Sequence, residues 1–148
     1  LPINDHIFLK SIDVYHSIKY AKGCMFLIDG ETTIAFSGDR GFQKDHFTEV
    51  FGNCDLLIHE ATFDYKALRN PKVRQITKHC SINDAKKIVK MMNAKYALFV
   101  HLSNRNDYYS FLNKPAKNIL VAFDFLEFSS NNIDIIWDKC GISKYKKK

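Results

Sequence analysis

Apolar positions in this chain come in short runs, and each run stops abruptly at a polar cluster. Leu56-Leu57-Ile58 fits a strand covered on both faces, and it opens directly into His59-Glu60. Ile7-Phe8-Leu9 and Ile12-Asp13-Val14-Tyr15 are β-branched and aromatic, which predicts a strand reaching His16. Two further apolar runs flank Asp29-Gly30, a dipeptide suited to the two positive-φ positions of a tight turn, so a hairpin is predicted over 24–36. Its second strand runs into Ser37-Gly38-Asp39, where the glycine lets the backbone turn and aims the aspartate off the sheet.

Residues 42–51 carry apolar side chains at 42, 47, 50 and 51, roughly one helical face, with Gly52 as the stop. His46 on that segment reads as a surface or packing histidine. Residues 63–77 read as a basic loop with one helical turn. A helix then opens at Ser81, its N-cap, with Asp84 at the favourable third position. Ala85, Ile88, Val89 and Met92 form its buried stripe, and Asn93 ends it. Tyr96-Ala97-Leu98-Phe99-Val100 predicts a strand ending at His101. Residues 104–117 read as irregular, and 119–128 and 133–137 as two last strands. A helix feeding an apolar strand marks an α/β fold.

At 148 residues, without a repeat or linker, the chain reads as a single domain over 1–148 with a Lys-rich tail at 143–148. Its apolar and charged fractions, 46% and 26%, are those of a folding sequence. No apolar run approaches the roughly 20 residues that span a bilayer, so no membrane partner is expected. Cys24, Cys54, Cys80 and Cys140 form no Cys-x-x-Cys pair, which favours reduced thiols and an intracellular setting. The net charge of +6 is compatible with a polyanion such as RNA.

The chemistry lies where strands end. His16, Asp39 and His101 are nitrogen and oxygen donors of the kind divalent zinc accepts, and each follows an apolar run. A lone strand-end histidine usually just finds a hydrogen-bond partner; several together with a glycine-preceded aspartate point to a metal.

Ser37-Gly38-Asp39, His59-Glu60-Ala61-Thr62, His79-x-Ser81 and His101-x-Ser103-x-Arg105 occur here in family order. In these motifs the chain resembles the C-terminal part of tRNase Z (ribonuclease Z), most of all its long eukaryotic form. The resemblance implies the C-terminal half of a metallo-β-lactamase αββα sandwich, incomplete as given. It implies a zinc-dependent endoribonuclease that removes the 3′ trailer from precursor tRNA, with two Zn2+ per complete site. In that reading His16 and His101 bind zinc and Asp39 bridges the two metals. His79 is the general acid that protonates the departing 3′ oxygen, and Glu60 orients it. Ser37, Gly38, His59, Ser81 and Arg105 are support.

The family's His-x-His-x-Asp-His signature is absent from the 148 residues. It is expected upstream of Leu1, in an N-terminal part of the same enzyme that would be this chain's partner. Alone, the chain is expected to be poorly soluble, to bind metal poorly and not to cleave RNA. Arg40 stands where the family has Thr, beside Asp39, directed either at the ligand or outward to a phosphate. Lys66, Arg69, Lys72 and Arg74 are candidate contacts to tRNA phosphates. Nucleus, cytoplasm and organelle are all compatible with tRNA processing, and a dimer is left open. The rival reading is a non-catalytic RNA-binding or scaffolding relative of the same fold.

Overall fold

The computed structural model describes residues 1–16, 21–43, 46–63, 72, 78–103, 118–122, 126–127, 129 and 133. Strands β1 (Pro2–Asn4), β2 (Ile7–Asp13), β3 (Lys22–Ile28) and β4 (Thr32–Phe36) form an antiparallel meander. Parallel strands β5 (Leu56–Glu60), β6 (Tyr96–Val100) and β7 (Ile119–Val121) continue it, making one seven-stranded mixed sheet in chain order. Helix α1 (His46–Val50) precedes β5, and α2 (Ile82–Met91) lies between β5 and β6.

Local chemistry accounts for most of these boundaries. Asp29 and Gly30 have φ of 51° and 72°, the pair of left-handed residues a two-residue hairpin loop needs to match strand twist. At Ser81 the hydroxyl accepts the Asp84 N–H at 3.1 Å and donates to the Asp84 carboxylate at 2.8 Å, closing the first turn of α2. Asn93, at φ 48°, takes the left-handed position that lets the chain leave the helix.

One face of the sheet carries the main core. Ala35, Leu57, Ala97 and Ile119 sit side by side on it, covered by Phe47 and Phe51 from the α1 region and by Ala85, Ile88, Val89 and Met92 of α2. Each large side chain buried there contributes about 1.5–3 kcal/mol relative to exposure. The opposite face is apolar as well but thinly covered. Leu56 and Leu98 are buried on it with Ile133, whereas Ile34, Ile58 and Leu120 are only partly covered and Phe36 is 40% exposed. The expectation of an apolar face left open corresponds to this side.

Several boundaries differ from the sequence reading. β2 stops at Asp13, so His16 lies beyond the strand rather than at its last residue. α1 is described over His46–Val50, and Phe42, expected at the start of that helix, lies outside it. His46 opens that helix and is exposed. β7 is three residues long, and Ile133, expected in a strand, is helical. β1 was not foreseen: Pro2-Ile3-Asn4 has no alternation to report it, and it exists because the first residues fold back onto β2. The rest of the run 133–137 and the Lys-rich end lie outside the described residues.

Candidate metal and proton-transfer site

Strand direction gathers the site. β2 and β4 flank the antiparallel β3 and so run the same way, as do β5 and β6, which parallel β4. Their carboxyl ends share one edge of the sheet, and the segments leaving that edge carry His16, Asp39, Thr62 and His101. The carboxyl edge is where open sheets of this kind place ligands.

Gly38 makes the departure from β4 possible. Its φ is +58°, and a Cβ there would stand 2.5 Å from the Lys22 carbonyl oxygen. Ser37 braces the same turn, its hydroxyl donating to the Gly38 carbonyl at 2.7 Å and accepting the Glu60 N–H at 3.2 Å. His101 leaves β6 at φ 55° and Lys78 precedes His79 at φ 47°. Left-handed backbone at residues other than glycine costs about 1–2 kcal/mol and persists only where surroundings demand it.

Glu60 is the hub. It is 1% exposed, and its carboxylate accepts from the Arg40 N–H, the Thr62 hydroxyl, the Cys80 N–H at 3.2 Å and His79. His79 Nδ1 lies 2.9 Å from one carboxylate oxygen and 3.1 Å from the other. A carboxylate only accepts, so Nδ1 carries the proton and Nε2 is left to face the cluster. The hydrogen bond that His79 donates to Glu60 raises its pKa above the usual value; burial opposes this, and the negative charges of Glu60 and Asp39 reinforce it.

The other donors surround His79. Its ring centroid lies 5.0 Å from that of His16 and 5.2 Å from that of His101. Donor atoms of His16, Asp39 and His79 fall within 4.8 Å of one another, as do those of Glu60, His79 and His101. His101 Nδ1 is 3.2 Å from Asp39 Oδ1 and 3.0 Å from the Thr62 hydroxyl, which links the two groups. The two imidazoles of His16 and His79 with the half-exposed Asp39 carboxylate offer the nitrogen and oxygen donors that a divalent metal ion accepts.

His59 points the other way. It is fully buried, and its Nδ1–H donates to the Glu60 carbonyl. Burial, then the nearby Arg40 charge, pushes its pKa down to about 3, so it is a neutral buttress. Arg40 departs from both orientations considered for it. Its guanidinium turns inward at 0% exposure, lies 4.9 Å over the Phe47 ring and donates to the Gln43 carbonyl at 2.7 Å. Its backbone N–H serves the site through Glu60.

The structure therefore brings His16, Asp39, Glu60, His79 and His101 together, with Ser37, Gly38, His59 and Ser81 around them. Of the basic quartet, Lys72 is exposed, while Lys66, Arg69, Arg74 and also Arg105 lie outside the described residues. Thr62 had no role assigned from sequence, although its place two residues after Glu60 was the available signal. The two backbone donors to Glu60, from Arg40 and Cys80, carry no sequence signal, because every non-proline residue has an N–H.

No family model matches the chain. Among characterised proteins it is 32% identical over 109 residues to a ribonuclease Z of Saccharomyces cerevisiae, covering 73% of this chain and 12% of that protein. It is 29% identical over 134 residues to a Caenorhabditis elegans protein named zinc phosphodiesterase ELAC protein 2 homolog, covering 86% and 15%. The chain thus spans well under two thirds of the length of these relatives. Human short-form tRNase Z superposes with a TM-score of 0.68 at 24% identity, over 87% of this chain and 44% of that one. A metallo-β-lactamase fold protein from Bacillus subtilis gives 0.69 at 19% identity, over 84% and 50%.

Proposed function

We propose that this chain, a relative of ribonuclease Z built on the metallo-β-lactamase fold, contributes part of an active site that removes the 3′ trailer from precursor tRNA. The observation that carries the reading is the Glu60–His79 pair set among His16, Asp39 and His101. A buried carboxylate on His79 Nδ1 stabilises the imidazolium and leaves Nε2 toward the other donors, which suits a proton donor beside a metal.

His16, Asp39 and His101 would hold zinc, with Asp39 shared between two ions. Bound zinc supplies charge neutralisation at the phosphate and lowers the pKa of water. The remaining ligands would be supplied by a His-x-His-x-Asp-His segment, which these 148 residues do not contain. His79 holds a proton on Nε2 because Glu60 stabilises the imidazolium through Nδ1, and it delivers that proton to the departing 3′ oxygen. Thr62 and the two backbone N–H groups keep the Glu60 carboxylate in position as charge shifts toward it. Lys66, Arg69, Lys72 and Arg74 contact tRNA phosphates, so replacing all four with Ala flattens the salt dependence of tRNA binding.

The test is cleavage of a precursor tRNA by the chain combined with a polypeptide bearing the His-x-His-x-Asp-His segment, in the presence of zinc. The expected products are a tRNA with a 3′ hydroxyl and a trailer with a 5′ phosphate. His79→Ala and Glu60→Gln should each slow cleavage by about 10²-fold or more. An inactive combination, or cleavage indifferent to both substitutions, overturns the proposal. Zinc uptake by equilibrium dialysis should fall in His16→Ala, Asp39→Ala and His101→Ala.

A further inference from the structure

Two of the residues in the site are each preceded by a residue of complementary kind. Tyr15 stands before His16 and Lys78 before His79, and the two segments lie side by side. While the imidazoles meet with centroids 5.0 Å apart, the Lys78 ammonium sits 4.9 Å from the centroid of the Tyr15 ring. The same ammonium donates to the His16 carbonyl at 3.3 Å. Tyr15 is pinned by its own carbonyl, which accepts the Gly41 N–H at 2.7 Å. Next to Gly41, the Phe42 ring has a second ammonium 5.1 Å from its centroid, that of Lys87, which also pairs with the Asp84 carboxylate at 3.2 Å.

The rim beside the donor cluster is thus a basic and aromatic patch: Tyr15, Phe42, Lys78 and Lys87. Lys78 is held there by left-handed backbone at φ 47°, an uncommon conformation for lysine. Tyr15 is 39% exposed, although it is a large aromatic residue beside a buried core. An aromatic face with ammonium groups around it is the chemistry that binds single-stranded nucleic acid, by base stacking and phosphate contact.

We infer that Tyr15 and Lys78 form a subsite for one unpaired nucleotide next to the phosphodiester to be cut, with Lys87 at its outer edge. In the free protein the Lys78 ammonium rests on the Tyr15 ring. When RNA arrives, a base takes the ring and the ammonium moves to a phosphate, exchanging a cation–aromatic contact for an ion pair. This rests on the nuclease reading of the neighbouring site, but binding can be measured without cleavage.

The probe is a short unstructured RNA oligonucleotide, titrated into the 148-residue chain by fluorescence anisotropy at several salt concentrations. Tyr15→Ala should weaken binding roughly tenfold or more, and Tyr15→Phe should restore it, since stacking needs the ring and not the hydroxyl. Lys78→Met should lower the slope of log K against log salt by about 0.7, the loss of one phosphate contact on a single strand. Circular dichroism of each variant establishes that it is folded, and Tyr15→Phe and Lys78→Met leave the packing volume nearly unchanged. Ring-dependent oligonucleotide binding supports the subsite even if precursor tRNA is not cleaved. Failure to bind the oligonucleotide, or binding indifferent to Tyr15→Ala and Lys78→Met, overturns it even if cleavage is found.

Discussion

His79 Nδ1 lies within 3.1 Å of both carboxylate oxygens of Glu60, a buried acid that also accepts two backbone N–H groups and a threonine hydroxyl. The imidazole is the partner in this network that changes charge readily near neutral pH. Its proton is therefore held by a carboxylate whose own position is set by other groups.

The His79 proton should persist to higher pH than in an ordinary histidine, because the Glu60 hydrogen bond raises its pKa. The stabilisation from this pair is fully present below the unfolded value of 6.5 and is lost as pH rises through the folded one. Glu60→Gln should move the titration back down. An NMR titration of the imidazole in zinc-free buffer checks this, and an unchanged midpoint in the variant would contradict it.

His59 should behave oppositely. With a pKa lowered from 6.5 to about 3, it contributes stability present above 6.5 and lost as pH falls toward 3. Three and a half pH units correspond to about 5 kcal/mol as an upper limit. Urea unfolding between pH 7 and pH 4 should show up to about two thirds of this loss in the parent chain and a shallower one in His59→Gln.

Gly38→Ala and Gly30→Ala share a positive φ but not their surroundings. At Gly30 a Cβ meets nothing within 4 Å, so only the backbone preference is lost, about 1 kcal/mol. At Gly38 the Cβ collides with the Lys22 carbonyl, so the chain must shift. Equilibrium unfolding should show Gly38→Ala costing at least about 1 kcal/mol more. Because Asp39 follows directly, zinc uptake should also fall in Gly38→Ala alone.

Cys54 is 1% exposed, and burial pushes its thiol up to about 11, so almost no thiolate forms at pH 8. Cys24 is only partly buried. Alkylation of the native chain followed by peptide mass spectrometry should label Cys24 first and Cys54 only after denaturant is added. Equal labelling rates would show that the core around Cys54 opens readily.

Much of the molecule follows from local physics and is legible in the residues themselves. The Asp29-Gly30 turn, the Ser81 cap, the stripe of Ala85, Ile88, Val89 and Met92, and the run from Tyr96 to Val100 all depend on near neighbours in the chain. So does the placing of His16, Asp39 and His101 just after apolar runs, which marks them as residues delivered to one edge. Tertiary structure alone decided what depends on distant segments. Arg40 reads as a ligand neighbour but is drawn inward, where its guanidinium lies over the Phe47 ring and donates to the Gln43 carbonyl. Lys78 lies 62 positions along the chain from His16 and further still from Tyr15, yet strand direction sets all three on one rim. Two of the four donors that fix Glu60 are backbone N–H groups, which every residue type but proline carries and only packing can aim.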